Sequence, residues 1–283
     1  MGSGSSKAKH HTSIKTGAVI PVEIEADIPV KVNTAIVPGI PREILDEILD
    51  YLVADSDLSS LRSCALVSKS WLPSCRRHLF HTVHFTFGTI LSWQKAFPVP
   101  EKSPAHYIRD LCVSTGGPDG SPGGLFFRYA PWIMDVERVT FWGDGRWIPM
   151  FWRLPQSITS LTVRTDGSSL LQVRNIMAQL PNLDDLSLSG ALIPLSRSVL
   201  AGIGTDLRGR FGGQLRLSEG CACKDVVDML LEVPTGLRFT EAEIRGMGEC
   251  LLLTVRLTEA CCETLVKLSY AVSSYCRSQS SGF

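Results

Sequence analysis

The residues of this chain best equipped for metal or nucleophilic chemistry are its histidines and cysteines, and their spacing argues against both uses. His78, His81 and His84 recur every third residue but straddle a helix-to-strand junction, where that interval does not keep three rings on one face. Cys221 and Cys223, followed by Cys250, Cys261 and Cys262, lack the paired C-x-x-C spacing of a zinc site. Nine cysteines, an odd number in a long chain without an export signal, are expected to be reduced thiols. Asp184 and Asp185 are neighbours on an expected strand, so they point to opposite faces and cannot work on one substrate atom. The chain has no G-x-S-x-G, H-E-x-x-H, G-x-x-x-x-G-K-[ST] or G-x-G-x-x-G. Gly202-Ile-Gly204 and Gly246-Met-Gly248 lack the third glycine, and Gly116 to Gly124 (GGPDGSPGG) is a turn-rich loop without the lysine that phosphate binding requires. The expectation is a protein without catalysis, cofactor or metal. An enzyme assembled from distant residues on an α/β fold is the competing class, and it calls for a deep pocket with converging titratable groups.

Composition narrows the classes further. The 28 basic and 28 acidic residues cancel, and no basic run interleaves with aromatics, so the electrostatic footprint of a nucleic-acid binder is missing. Apolar runs are short, Cys250 to Val255 being among the longest, and the N-terminus has no apolar signal core. An intracellular protein of cytoplasm or nucleus is expected, with no stable membrane insertion. At 283 residues and 44% hydrophobic content the chain can bury a sizeable core.

Residues 1–37 read as a flexible tail, rich in Gly, Ser and Lys and then in Thr, Pro and acidic residues without helical period. The opening Met-Gly-Ser-Gly-Ser-Ser-Lys places Gly2 as a myristoylation acceptor, a short pattern that a plain Gly/Ser tail also meets.

The stretch Ile40 to Phe80, IPREILDEILDYLVADSDLSSLRSCALVSKSWLPSCRRHLF, carries more apolar residues than three short helices can bury against one another. Pro41 suits a first helical position, and Ile44, Ile48 and Leu52 recur every four residues with Leu45 and Leu49 beside them, predicting a helix from Pro41 to Val53. Asp57 is placed to cap a second helix carrying Leu58, Leu61, Ala65 and Trp71, and Pro73 opens a third that ends near Phe80. A unit of about 40 residues seldom stands alone unless a metal, disulfides or another protein completes its core.

The order Ile-Pro-x-Glu-Ile-x-x-x-Ile-x-x-x-Leu, then Leu-x-x-Leu-x-x-Cys-Ala-Leu-Val-Ser-Lys-Ser-Trp, then Arg-Arg-His-Leu-Phe, resembles an F-box, in particular that of fungal proteins with leucine-rich-repeat-like tails. The resemblance covers Ile40 to about Phe85. It implies docking onto a Skp-family adaptor within an SCF-type cullin-RING ubiquitin ligase. Ile40 and Pro41 stand where the family has Leu-Pro, and Ile44, Ile48, Leu52, Leu61, Leu66, Val67 and Trp71 fall on its core and adaptor-facing positions. The sequence does not divide core from interface among these nine.

Beyond Phe85 short apolar strands are expected around Leu111, Val139, Leu161, Leu186, Leu215, Phe239 and Leu268, 22 to 29 residues apart. That interval suits leucine-rich repeats, in which each strand-plus-helix unit buries its apolar face only against neighbours. Helical halves are expected at Leu170 to Leu180 and Asp225 to Leu231, each running into a proline-marked turn. The phrases LPQSITSLTV and LPNLDDLSLS echo one another, although the usual Asn or Cys ladder position is irregular. A single α/β domain with parallel strands shares the same alternation.

The resulting expectation is a mixed α/β protein with a tail at 1–37, a three-helix F-box at 38–85 and an irregular, leucine-rich-repeat-like solenoid at 86–283 that ends short or truncated. Trp132, Trp142, Trp147 and Trp152, with Phe141 and Phe151, either anchor a target or pack the first repeats onto the F-box. The expected function is substrate receptor, binding the adaptor, through it a cullin scaffold, and an unknown target marked for proteasomal degradation. An adaptor-bound scaffold outside the ligase is the alternative.

Overall fold

A computed structural model describes residues 40–114, 126, 128–143, 155–165, 167–193, 211–218, 223–233, 236–246 and 250–272. The 1–37 tail with Gly2, the loop Gly116 to Gly124, Trp147, Phe151, Trp152, Gly202 to Gly204 and Cys221 lie outside the described residues.

Three helices come first: α1 (Arg42–Ala54), α2 (Leu58–Val67) and α3 (Leu72–Leu79). Asp57 caps α2 as expected, accepting the Ser60 amide at 3.0 Å and the Ser59 and Ser60 hydroxyls. Those three bonds to one carboxylate lower its pKa to about 2, the Ser60 bonds acting most strongly. Pro41 stands just outside α1 and Pro73 in the first turn of α3. Trp71 is not part of the second helix. Ser68 is extended, its hydroxyl takes the Ser70 amide at 3.2 Å, and this local bond stops α2 four residues early. Trp71 instead begins α3.

Eight strands then form one all-parallel sheet whose spatial order is their chain order: β1 (Thr82–Phe85), β2 (Asp110–Ser114), β3 (Arg138–Gly143), β4 (Ser160–Thr165), β6 (Asp185–Ser189), β8 (Gln214–Leu217), β9 (Glu241–Gly246) and β10 (Lys267–Val272). A parallel pair, β5 (Ser168–Ser169) and β7 (Leu192–Ile193), follows β4 and β6. Helices α4 (Phe87–Ala96), α5 (Leu170–Met177), α6 (Cys223–Leu231) and α7 (Cys250–Ala260) lie in the connections. Parallel neighbours need such crossovers, which is why strand and helix alternate along the chain. Capping boxes start two of them, Thr86 with Thr89 and Ser169 with Gln172. Among the described residues no helix is long and apolar enough to cross a membrane.

The register explains the period. Val83, Leu111, Val139, Leu161, Leu186, Leu215 and Ala242 are aligned across successive strands and buried on one face. Two residues further along each strand a second buried layer runs through Phe85, Val113, Phe141, Val163, Leu188, Leu217 and Ile244. A third precedes the first layer by three residues: Ile108, Val136, Ile158, Leu183 and Phe239 are buried, and Phe80 and Leu265 at its ends are half-buried. Phe239 is therefore not the strand anchor expected from the sequence. Ala242 holds that place, and the larger Phe239 draws attention three residues too early. Helix residues Ile90, Trp93, Val173, Ile176, Val226, Val227, Leu230 and Leu257 close the same core from the other side.

Before each strand one carbonyl accepts two successive amides of the next strand: His81 from Arg109 and Asp110, Arg109 from Glu137 and Arg138, Glu137 from Thr159 and Ser160, Thr159 from Asp184 and Asp185. The pattern resumes with Gly213 to Thr240 and Glu241, and with Thr240 to Val266 and Lys267. It breaks only at β6 to β8. There Phe211, the third-layer residue, stands four rather than three positions before its partner Leu215. Phe211 absorbs the extra residue with a left-handed backbone, φ 41°, and the Asp185 carboxylate takes the Gln214 amide at 2.7 Å in place of a carbonyl. A Cβ on Gly213 would collide with that carboxylate, whereas one on Gly212 would rest 3.6 Å from Asp184 Oδ1. Replacing Gly213 by Ala is expected to lower unfolding free energy by about 2 kcal/mol, in the range of overpacked sites. Gly212→Ala, read by the same urea titration, should leave it within about 0.5 kcal/mol.

Candidate functional site

Two surfaces carry chemistry that the fold itself does not consume. The first lies on the helical unit. Leu45, Leu49 and Leu61, with Cys75, form a small core of their own, against which Leu52, Cys64, Ala65, Trp71 and Leu79 pack half-buried. Residues one helical position aside from this stripe point outward. Ile40 and Pro41 are exposed, and so are Ile44 (48% exposed), Ile48, Tyr51 (67%), Leu66 (88%) and Val67 (66%). At about 100° per residue, Ile44, Ile48 and Tyr51 form a second apolar stripe on α1, next to the one that faces α2 and α3. Side chains of this size facing water together mark a surface built to be covered. Of the nine residues singled out by sequence, Ile40, Pro41, Ile44, Ile48, Leu66 and Val67 thus stand on the outside, Leu61 is core, and Leu52 and Trp71 lie between. Tyr51 was missed because a tyrosine on an acidic helix reads as an ordinary surface residue.

Polar groups fringe this unit. Arg77 donates to Asp46 at 3.2 Å, and His78 lies 3.6 Å from Asp50. Burial of the ring outweighs the Asp50 charge and holds His78 below the ordinary imidazole value.

The second surface is the face of the sheet opposite the described helices. Its residues stack in three rungs. The lowest runs Thr82, Asp110, Arg138, Ser160 and Asp185, the middle one His84, Cys112, Thr140, Thr162 and Ser187, and the upper one Ser114, Trp142, Arg164 and Ser189. Across β8 to β10 the middle rung continues as Arg216, Glu243 and Ser269. In the β8 to β10 half each charged side chain has a partner of opposite charge. Glu243 pairs with Arg216 at 3.7 Å and Arg245 at 2.5 Å, and Glu241 takes Lys267 at 3.7 Å and the Gln214 amide group at 3.1 Å. At the other end Arg138 grips Asp110 with two bonds of 2.6 Å. Between them Trp142 reaches across β2 to set its ring edgewise to His84, with centroids 5.8 Å apart, and the Arg164 guanidinium lies 5.4 Å from the Trp142 ring centre. Desolvation holds His84 below the ordinary imidazole value, and burial pushes the Cys112 thiol up to about 11 despite Arg164 nearby, so it is a poor nucleophile.

The aromatic group expected from sequence is thereby divided: Phe141 is core, Trp132 packs partly buried against that core, and Trp142 belongs to the open face. The helical unit is joined to the sheet by other rings, Phe80 standing edge-on to Trp93 at 5.6 Å and to Phe97 at 6.0 Å. The three histidines are separated as their spacing implied, His78 in α3, His81 in the turn and His84 in β1. Among the described residues no three His, Cys, Asp or Glu side chains gather as metal ligands. Asp185 serves the backbone of β8, as described above.

The division between core and exposed stripe has a direct check. Leu61→Ala should cost about 2–5 kcal/mol of unfolding free energy and melt the helical unit early, while Leu66→Asp should shift Tm by no more than about 2 °C. Circular dichroism melts of the two variants read the difference. No protein-family model matches the chain, and no curated protein matches it.

Proposed function

We propose that this protein is the substrate-receptor subunit of an SCF-type cullin-RING ubiquitin ligase. In this reading residues 38–85 are an F-box that binds a Skp-family adaptor, and through it a cullin scaffold, in the cytoplasm or nucleus. The observation that carries it is the set of exposed apolar side chains Ile40, Ile44 and Ile48 at and along α1 and Leu66 and Val67 at the end of α2, beside a core too small to use them, at positions that the F-box resemblance counts among its core and adaptor-facing ones. Burying those five side chains against a partner removes several hundred Å² of apolar surface from water, and a fully buried side chain of this kind contributes about 1.5–3 kcal/mol.

The sheet is the target-holding region, read as an irregular leucine-rich-repeat solenoid. Its three aligned apolar layers at a 22-to-29-residue interval support that reading, because each repeat then closes on its neighbours alone. The chain forms no bond itself. It acts by holding a target near a ubiquitin-carrying enzyme, so that a rare encounter becomes a high local concentration.

The test is co-expression of the full chain with a fungal Skp-family adaptor, then size-exclusion chromatography. Co-elution at equal stoichiometry is expected, and it should vanish when Pro41 and Ile44 are both replaced by Asp, with the sheet's thermal transition unchanged. Adaptor binding by the folded double variant would remove the F-box assignment. If the adaptor binds but a cullin never co-purifies, the protein acts as an adaptor-bound scaffold outside the ligase.

A further inference from the structure

Hydrogen-bonding capacity on the open sheet face is spent unevenly. Over β8 to β10 every charged side chain on the face has a partner of opposite charge. Over β2 to β6 the hydroxyls of Ser114, Thr140, Thr162 and Ser189 are half-exposed and make no side-chain hydrogen bond among the described residues. Arg164 is exposed, forms no ion pair among the described residues and is steadied by the Trp142 ring. The two carboxylates on this half are already engaged, Asp110 by Arg138 and Asp185 by the Gln214 amide. The middle and upper rungs from β1 to β6 hold no described carboxylate.

A guanidinium resting on an indole is oriented and short of a counter-charge, which suits it to a planar anion bound through two parallel bonds. The anion's charge follows from its surroundings. Of the other cationic groups around it, His84 beyond the Trp142 ring is held below the ordinary imidazole value by desolvation, and Arg216, two strands away, is paired with Glu243. One positive charge matches a carboxylate, whereas a phosphate dianion would keep about one charge uncompensated against hydroxyls and an aromatic ring. The free hydroxyls suit the backbone amides and carbonyls of an extended peptide crossing the strands. From Ser114 to Ser189 is three strand spacings, about 14 Å, the reach of about four extended residues.

We infer that the open face of β2 to β6 binds an extended acidic segment of the target protein, one Asp or Glu carboxylate seated on Arg164 against Trp142 and the flanking backbone hydrogen-bonded by the free hydroxyls. This rests on the target-holding reading of the sheet and adds the class of sequence it accepts.

The test uses the purified full chain and immobilised pentapeptide libraries with neutral residues at four positions and a fixed central Glu, Gln, Lys or phosphoserine. The Glu library should retain at least about tenfold more protein than the Gln library, as a charge-assisted bidentate pair provides. Arg164→Gln should erase the difference, Arg164→Lys should keep part of it, and Arg245→Gln, whose guanidinium is paired with Glu243, should leave it intact. Thermal melts confirm that each variant is folded. Equal retention of Glu and Gln, or a Glu preference that survives Arg164→Gln, overturns the site. A phosphoserine library that outbinds Glu through Arg164 overturns the carboxylate assignment. The same samples are passed over the adaptor: adaptor binding without Glu preference removes this inference alone, and Glu preference without adaptor binding removes the ligase reading and keeps the site.

Discussion

One carbonyl that accepts two successive amides from the following strand is the contact on which this molecule is built. It recurs before β2, β3, β4, β6, β9 and β10, and it fixes where each new strand begins against the last. Once that start is set, the two-residue side-chain period puts one set of residues in the core and the alternate set on the open face without further choice. A slip of one residue would exchange the two sets. The three apolar layers and the three polar rungs are therefore two results of the same backbone constraint.

The exception at β6 to β8 shows how tightly the constraint binds. A single additional residue between Phe211 and Leu215 is not allowed to shift the register. A left-handed Phe211, a glycine with no room for a side chain and a carboxylate acting as a carbonyl together absorb it. Phe211 still reaches the core, where its ring lies 5.9 Å from that of Phe239. Backbone strain and the loss of one regular bond are offset by keeping the layer continuous.

Much of this arrangement was legible in the sequence, and the reasons differ by residue. The Asp57 cap and the prolines near α1 and α3 are local signals, so they could be read directly. Six strand anchors were visible because large apolar residues fall at a nearly constant interval, but Ala242 is small, and Phe239 attracted the anchor in its place. Trp71 misled because helical spacing continues past Val67 while the Ser68 turn that ends the helix depends on a side-chain bond. Leu61 and Leu66 have similar character five residues apart on one helix, and only the placement of three helices decides which faces inward. Trp142 could not be told from Trp132 without the register, since one belongs to a strand's open side and the other to a short turn under the core.

The passage from α3 to β1 has a mechanical meaning. Phe80 is at once the residue after the third helix and the first side chain of the sheet's third layer, wedged between Trp93 and Phe97, and His81 already holds the backbone of the second strand. No spacer separates the two parts, so a body docked on the helices and a body docked on the sheet are joined by a strut rather than a tether. A tether samples many separations and rewards all of them weakly. A strut selects one separation, so for anything the sheet were to hold, reach would be a matter of geometry instead of diffusion.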